Sequence, residues 1–95
     1  MVITILEAHV ELDKAPILQD AYRNGSSQLP PQMVRTYLIQ SASDKTLWRI
    51  ISVWKSREAL DEMRNSGGTP AGILMFRAAG AEPELSIFDV AAYAP

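Results

Sequence analysis

Cysteine is absent from the 95 residues, and histidine occurs once, at position 9. The first absence excludes disulfides, thiolate catalysis and cysteine-based metal centres together. The second leaves no histidine cluster to hold a metal. No stretch approaches the roughly 18 apolar residues that a membrane helix needs. The opening run, Met1-Val2-Ile3-Thr4-Ile5-Leu6, lacks a positively charged flank and is broken by Glu7 and His9, so it does not read as a secretory signal. Charge of one sign is scarce too: 9 basic residues stand against 11 acidic ones, a formal net charge of −2. With no basic tract, nucleic acid is a poor partner. Gly67-Gly68-Thr69 lacks the spacing of a phosphate loop, and no serine stands in a nucleophile elbow. These absences predict a cytoplasmic protein without metal or cofactor, and without a nucleic-acid or membrane partner.

What is present is an ordinary globular composition, 47% hydrophobic and 21% charged. Residues 1–95 therefore read as one domain. Size scaling gives such a chain a folded surface of ~5,400 Å² against ~15,000 Å² unfolded, enough for one modest core.

Residues 2–10 are rich in β-branched types and predict a first strand. Ile3, Ile5, Glu7 and His9 share one face; Val2, Leu6, Ala8 and Val10 share the other. A helix follows, with Asp13 placed to cap it, Leu12 and Ile17 as a hydrophobic staple, and Pro16 in its first turn. Its apolar stripe is Ile17, Leu18, Ala21 and Tyr22, and Gly25 is a plausible stop. Residues 26–32 contain Pro30-Pro31 and read as a loop. Strands are predicted over 34–40 and 47–54, joined by a short polar turn as an antiparallel hairpin. Ser56 is placed to cap a second helix, with Ala59, Leu60 and Met63 on its apolar face and Gly67-Gly68 ending it. Thr69-Pro70 signals a short third helix through Ile73, Leu74 and Phe76, closed by Gly80. A last strand runs over 84–92.

The order β-α-β-β-α-(α)-β is the split βαβ, ferredoxin-like α+β pattern, a four-stranded antiparallel sheet with helices on one face. Strands apolar on both sides leave the uncovered face in need of a partner. A second copy of the same sheet is the simplest one, so a homodimer is expected.

The stretch Ile50-Ile51-Ser52-Val53-Trp54-Lys55-Ser56-Arg57-Glu58-Ala59-Leu60 resembles the strand-to-helix signature of the antibiotic biosynthesis monooxygenase (ABM) domain. Trp54, Ser56, Glu58, Ala59 and Leu60 carry the match, and the element order extends it over residues 2–92. The resemblance implies protomers that pair their sheets into a dimeric α+β barrel, each with a ligand cavity between sheet and helices. It also implies a cofactor-independent monooxygenase acting on a small aromatic or polyketide-type substrate. The alternative is a non-catalytic homodimeric protein that binds a small apolar ligand or a partner. Haem degradation is disfavoured. The helix tryptophan of haem-degrading members falls here on Met63, their haem-binding histidine falls near Ile73, and no histidine follows His9. Their early-strand Asn has only Glu7 and His9 nearby, and the Gly that usually opens the second strand is replaced by Gln32-Met33.

Six residues are candidates for the site. Trp54 lines the cavity or anchors the second helix as core; Trp48, Ile50 and Ser52 share its strand face. Tyr22 lies on the first helix's buried stripe, where a phenol needs a hydrogen-bond partner. Tyr37 faces either a ligand or the dimer interface, and Phe76 is expected in the cavity wall. His9 and Arg77 are weak catalytic candidates for handling charge. A surface histidine and an exposed helical arginine are the commoner readings of those two. Asp89, interrupting the apolar last strand, is expected to be buried and paired.

Overall fold

The computed structural model describes all 95 residues. Its strands are β1 (Val2–His9), β2 (Met33–Gln40), β3 (Leu47–Trp54) and β4 (Glu84–Asp89), in one four-stranded sheet of order β2-β3-β1-β4. Every neighbouring pair is antiparallel. The helices are α1 (Ala15–Gly25), α2 (Arg57–Asn65) and α3 (Ala71–Ala78). This is the ferredoxin-like α+β fold that the element order predicts. No helix is long and apolar enough to cross a membrane.

Alternation sorts the strand residues onto two faces. In β1, Val2, Thr4, Leu6 and Ala8 are buried; in β3, Trp48, Ile50, Ser52 and Trp54 are. These side chains meet the helices. Leu6, Ala8, Val10, Trp48 and Ile50 form the larger core cluster with Leu18 of α1 and Phe76 of α3. Val2, Trp54 and Leu60 of α2 form a smaller one. The opposite face carries Ile3, Ile5, Tyr37, Ile39, Ile51, Val53 and Phe88 and has no helix on it; Tyr37, Ile39 and Phe88 are exposed. Glu7 and Arg49, cross-strand partners on that face, form an ion pair.

Several local expectations need correction. Asp13 does not cap α1: Leu12–Lys14 form a single 3-10 turn, and the cap residue Lys14 makes no side-chain bond. A cap at Asp13 would put Pro16 at the third helical position, where its carboxylate would find no N–H. Leu12 and Ile17 are both exposed, so the staple is absent. Helix α3 begins one residue later than Thr69-Pro70 suggests, and the Pro70 carbonyl accepts the amides of Ile73 and Leu74. Strand β4 stops at Asp89 because its partner in β1 begins at Val2, paired with Asp89 itself. Asp89 is consequently exposed at the sheet corner, not buried and paired. Ser56 caps α2 as expected, its Oγ accepting from the Ala59 amide at 3.0 Å.

Candidate functional site

Between the two core clusters the sheet and helices do not close completely. They leave a cavity of about 160 Å³ that is open to solvent on one side. Its floor is the inner sheet face: Thr4 and Leu6 of β1, Met33 and Thr36 of β2, Ile50, Ser52 and Trp54 of β3, and Leu85 and Ile87 of β4. Tyr22 and Gly25 of α1, Leu60, Met63 and Arg64 of α2, and Gly72, Ile73 and Met75 of α3 make the walls, with Leu29 and Pro30 from the loop before β2.

Two backbone features shape this space. Met33 pairs with Trp54 and Thr36 with Ser52, so β2 uses one residue more than β3 over that stretch. The irregularity lies between Met33 and Arg35, which makes Val34 the extra residue of a β-bulge. Without it, Met33 and Thr36 would face opposite sides; with it, both look into the cavity. Gly72 lets α3 lie close to the sheet, because a Cβ there would sit 2.6 Å from Leu6 Cδ1. Glycine inside a helix costs about 1 kcal/mol relative to alanine, and here it secures that approach.

The cavity is mostly apolar, but a row of hydroxyls crosses its floor. Ser52 is the register partner of both Thr4 and Thr36. Thr4 and Ser52 are 8% and 6% exposed and are the two buried polar residues of the chain. The Trp54 indole Nε1–H donates to Thr4 Oγ1 at 2.9 Å. Thr36 Oγ1 and Ser52 Oγ stand 3.4 Å apart, long for a bond between hydroxyls. No histidine, aspartate or glutamate lines the cavity. Arg64 is its one cation. The arginines at 23, 49, 57 and 77 are paired with carboxylates, and Arg64 is not.

Of the six candidate residues, the structure brings Trp54 and Tyr22 together in the cavity lining and places the other four elsewhere. Phe76 is completely buried in the larger core cluster and does not reach the cavity. Tyr37 is on the open sheet face, its hydroxyl accepting from Arg35 at 3.2 Å; that contact holds the Arg35 pKa above its ordinary value. His9 ends β1 at the surface, its Nδ1 2.9 Å from Thr46 Oγ1, which itself donates to Asp44. Arg77 is held by Glu82 through two bonds of 2.8 Å, which raise the pKa of the arginine and lower that of the glutamate. Sequence reasoning misses Thr4, Thr36, Met33 and Arg64 as lining residues. Inward parity is available for Thr4; nothing in the sequence marks the bulge that turns Met33.

The family model for antibiotic biosynthesis monooxygenase matches residues 1–72. No curated protein matches the chain. Solved structures with the same fold include an antibiotic biosynthesis monooxygenase-type protein from Nitrosomonas europaea, 21% identical, with a TM-score of 0.74 over 97% of this chain and 100% of that one. A similar protein from Deinococcus radiodurans is 11% identical, with a TM-score of 0.75 over 100% and 97% of the two chains. SnoaB, a cofactor-independent oxygenase from Streptomyces nogalater, is 17% identical, with a TM-score of 0.66 over 99% and 96%.

Proposed function

Because this chain belongs to the antibiotic biosynthesis monooxygenase family, we propose that it oxygenates a small aromatic substrate directly with O2, in the cytoplasm, without metal or flavin. The observation that carries the reading is the apolar cavity behind the family signature, with Trp54 and Tyr22 in its lining. The fold likeness to a cofactor-independent oxygenase is in keeping with it.

In this reading the substrate supplies the electrons. A ring carbon ortho or para to the phenol, which carries two hydrogens in the keto tautomer, loses a proton; the resulting carbanion reduces O2 and combines with it, and the peroxide takes the proton back. Loss of water from the hydroperoxide leaves a carbonyl, so CH2 and O2 become C=O and H2O. The chain holds the ring, orients the reacting carbon and keeps bulk water out. Trp54 offers its face for stacking, and Tyr22 a second aromatic wall. Arg64 at the cavity rim favours a substrate whose phenol has ionised. His9 and Arg77 lie outside the cavity and take no part in this scheme.

The second reading, a non-catalytic binder of a small apolar ligand, is favoured by one observation: no histidine or carboxylate stands where a proton must leave. Oxygen uptake with a panel of hydroxyarenes separates the two. The oxygenase should consume one O2 per product molecule, and Trp54→Phe, which keeps a ring in the core, should lower the rate by about tenfold. Hydroxyarenes that bind without any uptake above background would leave only the binder.

Either protein is proposed to work as a homodimer through the open sheet face. Tyr37, Ile39 and Phe88 are exposed on that face, apolar surface that a second copy of the sheet would cover.

A further inference from the structure

We propose that Thr4, Ser52 and Thr36 form a subsite for the oxygen of a single-ring ligand, and that the cavity as built selects such ligands over polycyclic ones. The inference deepens the proposed function, and rests on it only for naming the ligand a substrate.

The size limit comes first. A dry cavity of ~150 Å³ in another protein holds benzene, and the space here is about 160 Å³. One ring with small substituents fits it. Two or three fused rings exceed it and must either part the walls or leave part of their apolar surface outside the mouth, in water.

The polar end follows from the hydroxyls. A buried hydroxyl without a partner costs on the order of 1–3 kcal/mol, so polar groups sealed against a sheet are expected to have a use. Thr4 Oγ1 accepts the Trp54 indole N–H and makes no other hydrogen bond within the protein, which leaves its own proton free to be donated. Ser52 and Thr36 share a contact of 3.4 Å that uses neither group well. Above and below the row the floor is apolar: the Trp54–Met33 pair on one side, the Leu85–Leu6–Ile50 row on the other. A ring seated between them on the floor presents its oxygen to the hydroxyls, while Arg64 stands away at the rim. The indole bond also holds the Thr4 oxygen in place before the ligand arrives, and its hydroxyl proton rotates to meet it. The hydroxyls can donate to a carbonyl or phenolate oxygen and can accept from a neutral phenol.

The test compares phenol with toluene, which share a ring and differ in its oxygen. Binding is followed by calorimetry and by amide shifts, under nitrogen so that no oxygenation occurs. The wild-type chain should prefer phenol by about tenfold, the value of one or two good hydrogen bonds. Ser52→Ala and Thr4→Val should each remove most of that preference while leaving toluene affinity within about twofold. A three-ring phenol should bind at least about tenfold more weakly than phenol itself. Equal affinity for phenol and toluene, a preference untouched by both variants, or failure of phenol to bind would overturn the subsite. Tight binding of the three-ring phenol would overturn the size limit. Thr4→Val removes the acceptor of a buried N–H and can fail to fold; Ser52→Ala loses only a weak contact and then decides the question alone. Phenol selectivity without oxygen uptake would sink the oxygenase reading and leave this subsite standing, whereas uptake without selectivity would do the reverse.

Discussion

The two tryptophans of β3 share a face and a burial class but not a chemical situation. Trp54 Nε1 has a partner in Thr4 Oγ1; Trp48 Nε1 is buried and has none. Phenylalanine at either position removes an N–H and some volume. At 54 it also orphans a buried hydroxyl, whereas at 48 it removes a donor that was already unsatisfied. Trp54→Phe should therefore destabilise the chain by about 1–2 kcal/mol more than Trp48→Phe, read as the difference in urea unfolding free energy. Equal losses would mean that the indole bond contributes nothing. Alternation in the sequence makes the two residues co-facial, yet cannot tell them apart, because the distinguishing partner lies 50 positions away. His9 shows a related gap. Its face is legible, but β1 is apolar on both sides, so the strand alone does not say which side the helices cover. Arg77 interrupts an apolar run, which makes it a candidate for handling charge although an exposed helical arginine is the commoner reading. Its partner Glu82 lies beyond the end of α3, five residues on, outside the helical spacings by which such pairs are recognised.

At the scale of elements, the strands and helices are legible because alternation and helical stripes are written into the residues themselves. The departures sit where backbone chemistry or a partner strand intervenes. Pro16 denies Asp13 one of its two capping donors, and the start of β1 sets the end of β4. The turn between β2 and β3 holds a further consequence. Asp44 Oδ1 accepts from the Thr46 hydroxyl at 2.7 Å and the Thr46 amide at 3.0 Å, and these bonds hold its pKa below the ordinary value of 3.8. A carboxylate with a lowered folded pKa adds stability above its unfolded value and loses it as pH falls through the folded one. Amide-exchange protection at Thr46 and Leu47 should then fall as the solution is acidified below 3.8, once intrinsic exchange rates are divided out. Asp44→Asn should abolish most of that dependence. A turn that opens at the same pH in both proteins would show that Asp44 is not its latch. The same sign applies to Glu82, whose bonds with Arg77 secure the connection from α3 towards β4.

For the whole molecule, the decisive asymmetry is a sheet covered on one side. Ile51 pairs with Ile5 in β1 and Tyr37 in β2, at the middle of the open face. Ile51→Glu would bury a charge at the centre of a sheet-to-sheet contact, which costs several kcal/mol. Sedimentation should show a wild-type dimer and a folded Ile51→Glu monomer, with dimer affinity lowered by about a hundredfold or more. A wild-type chain that sediments as a monomer at about 100 μM would contradict the dimer, since a standard interface binds far more tightly. Alternation has one more effect here. In β1, in β3 and in β2 beyond its bulge, even-numbered residues point to the cavity and odd-numbered ones to the open face. The two faces are thus encoded in interleaved alphabets, and a point substitution edits one text without touching the other. A substitution that reshapes the cavity therefore leaves the open face as it was. A single-residue deletion at Val34 is different in kind, since it transposes the letters of β2 from one text to the other on one side of the cut.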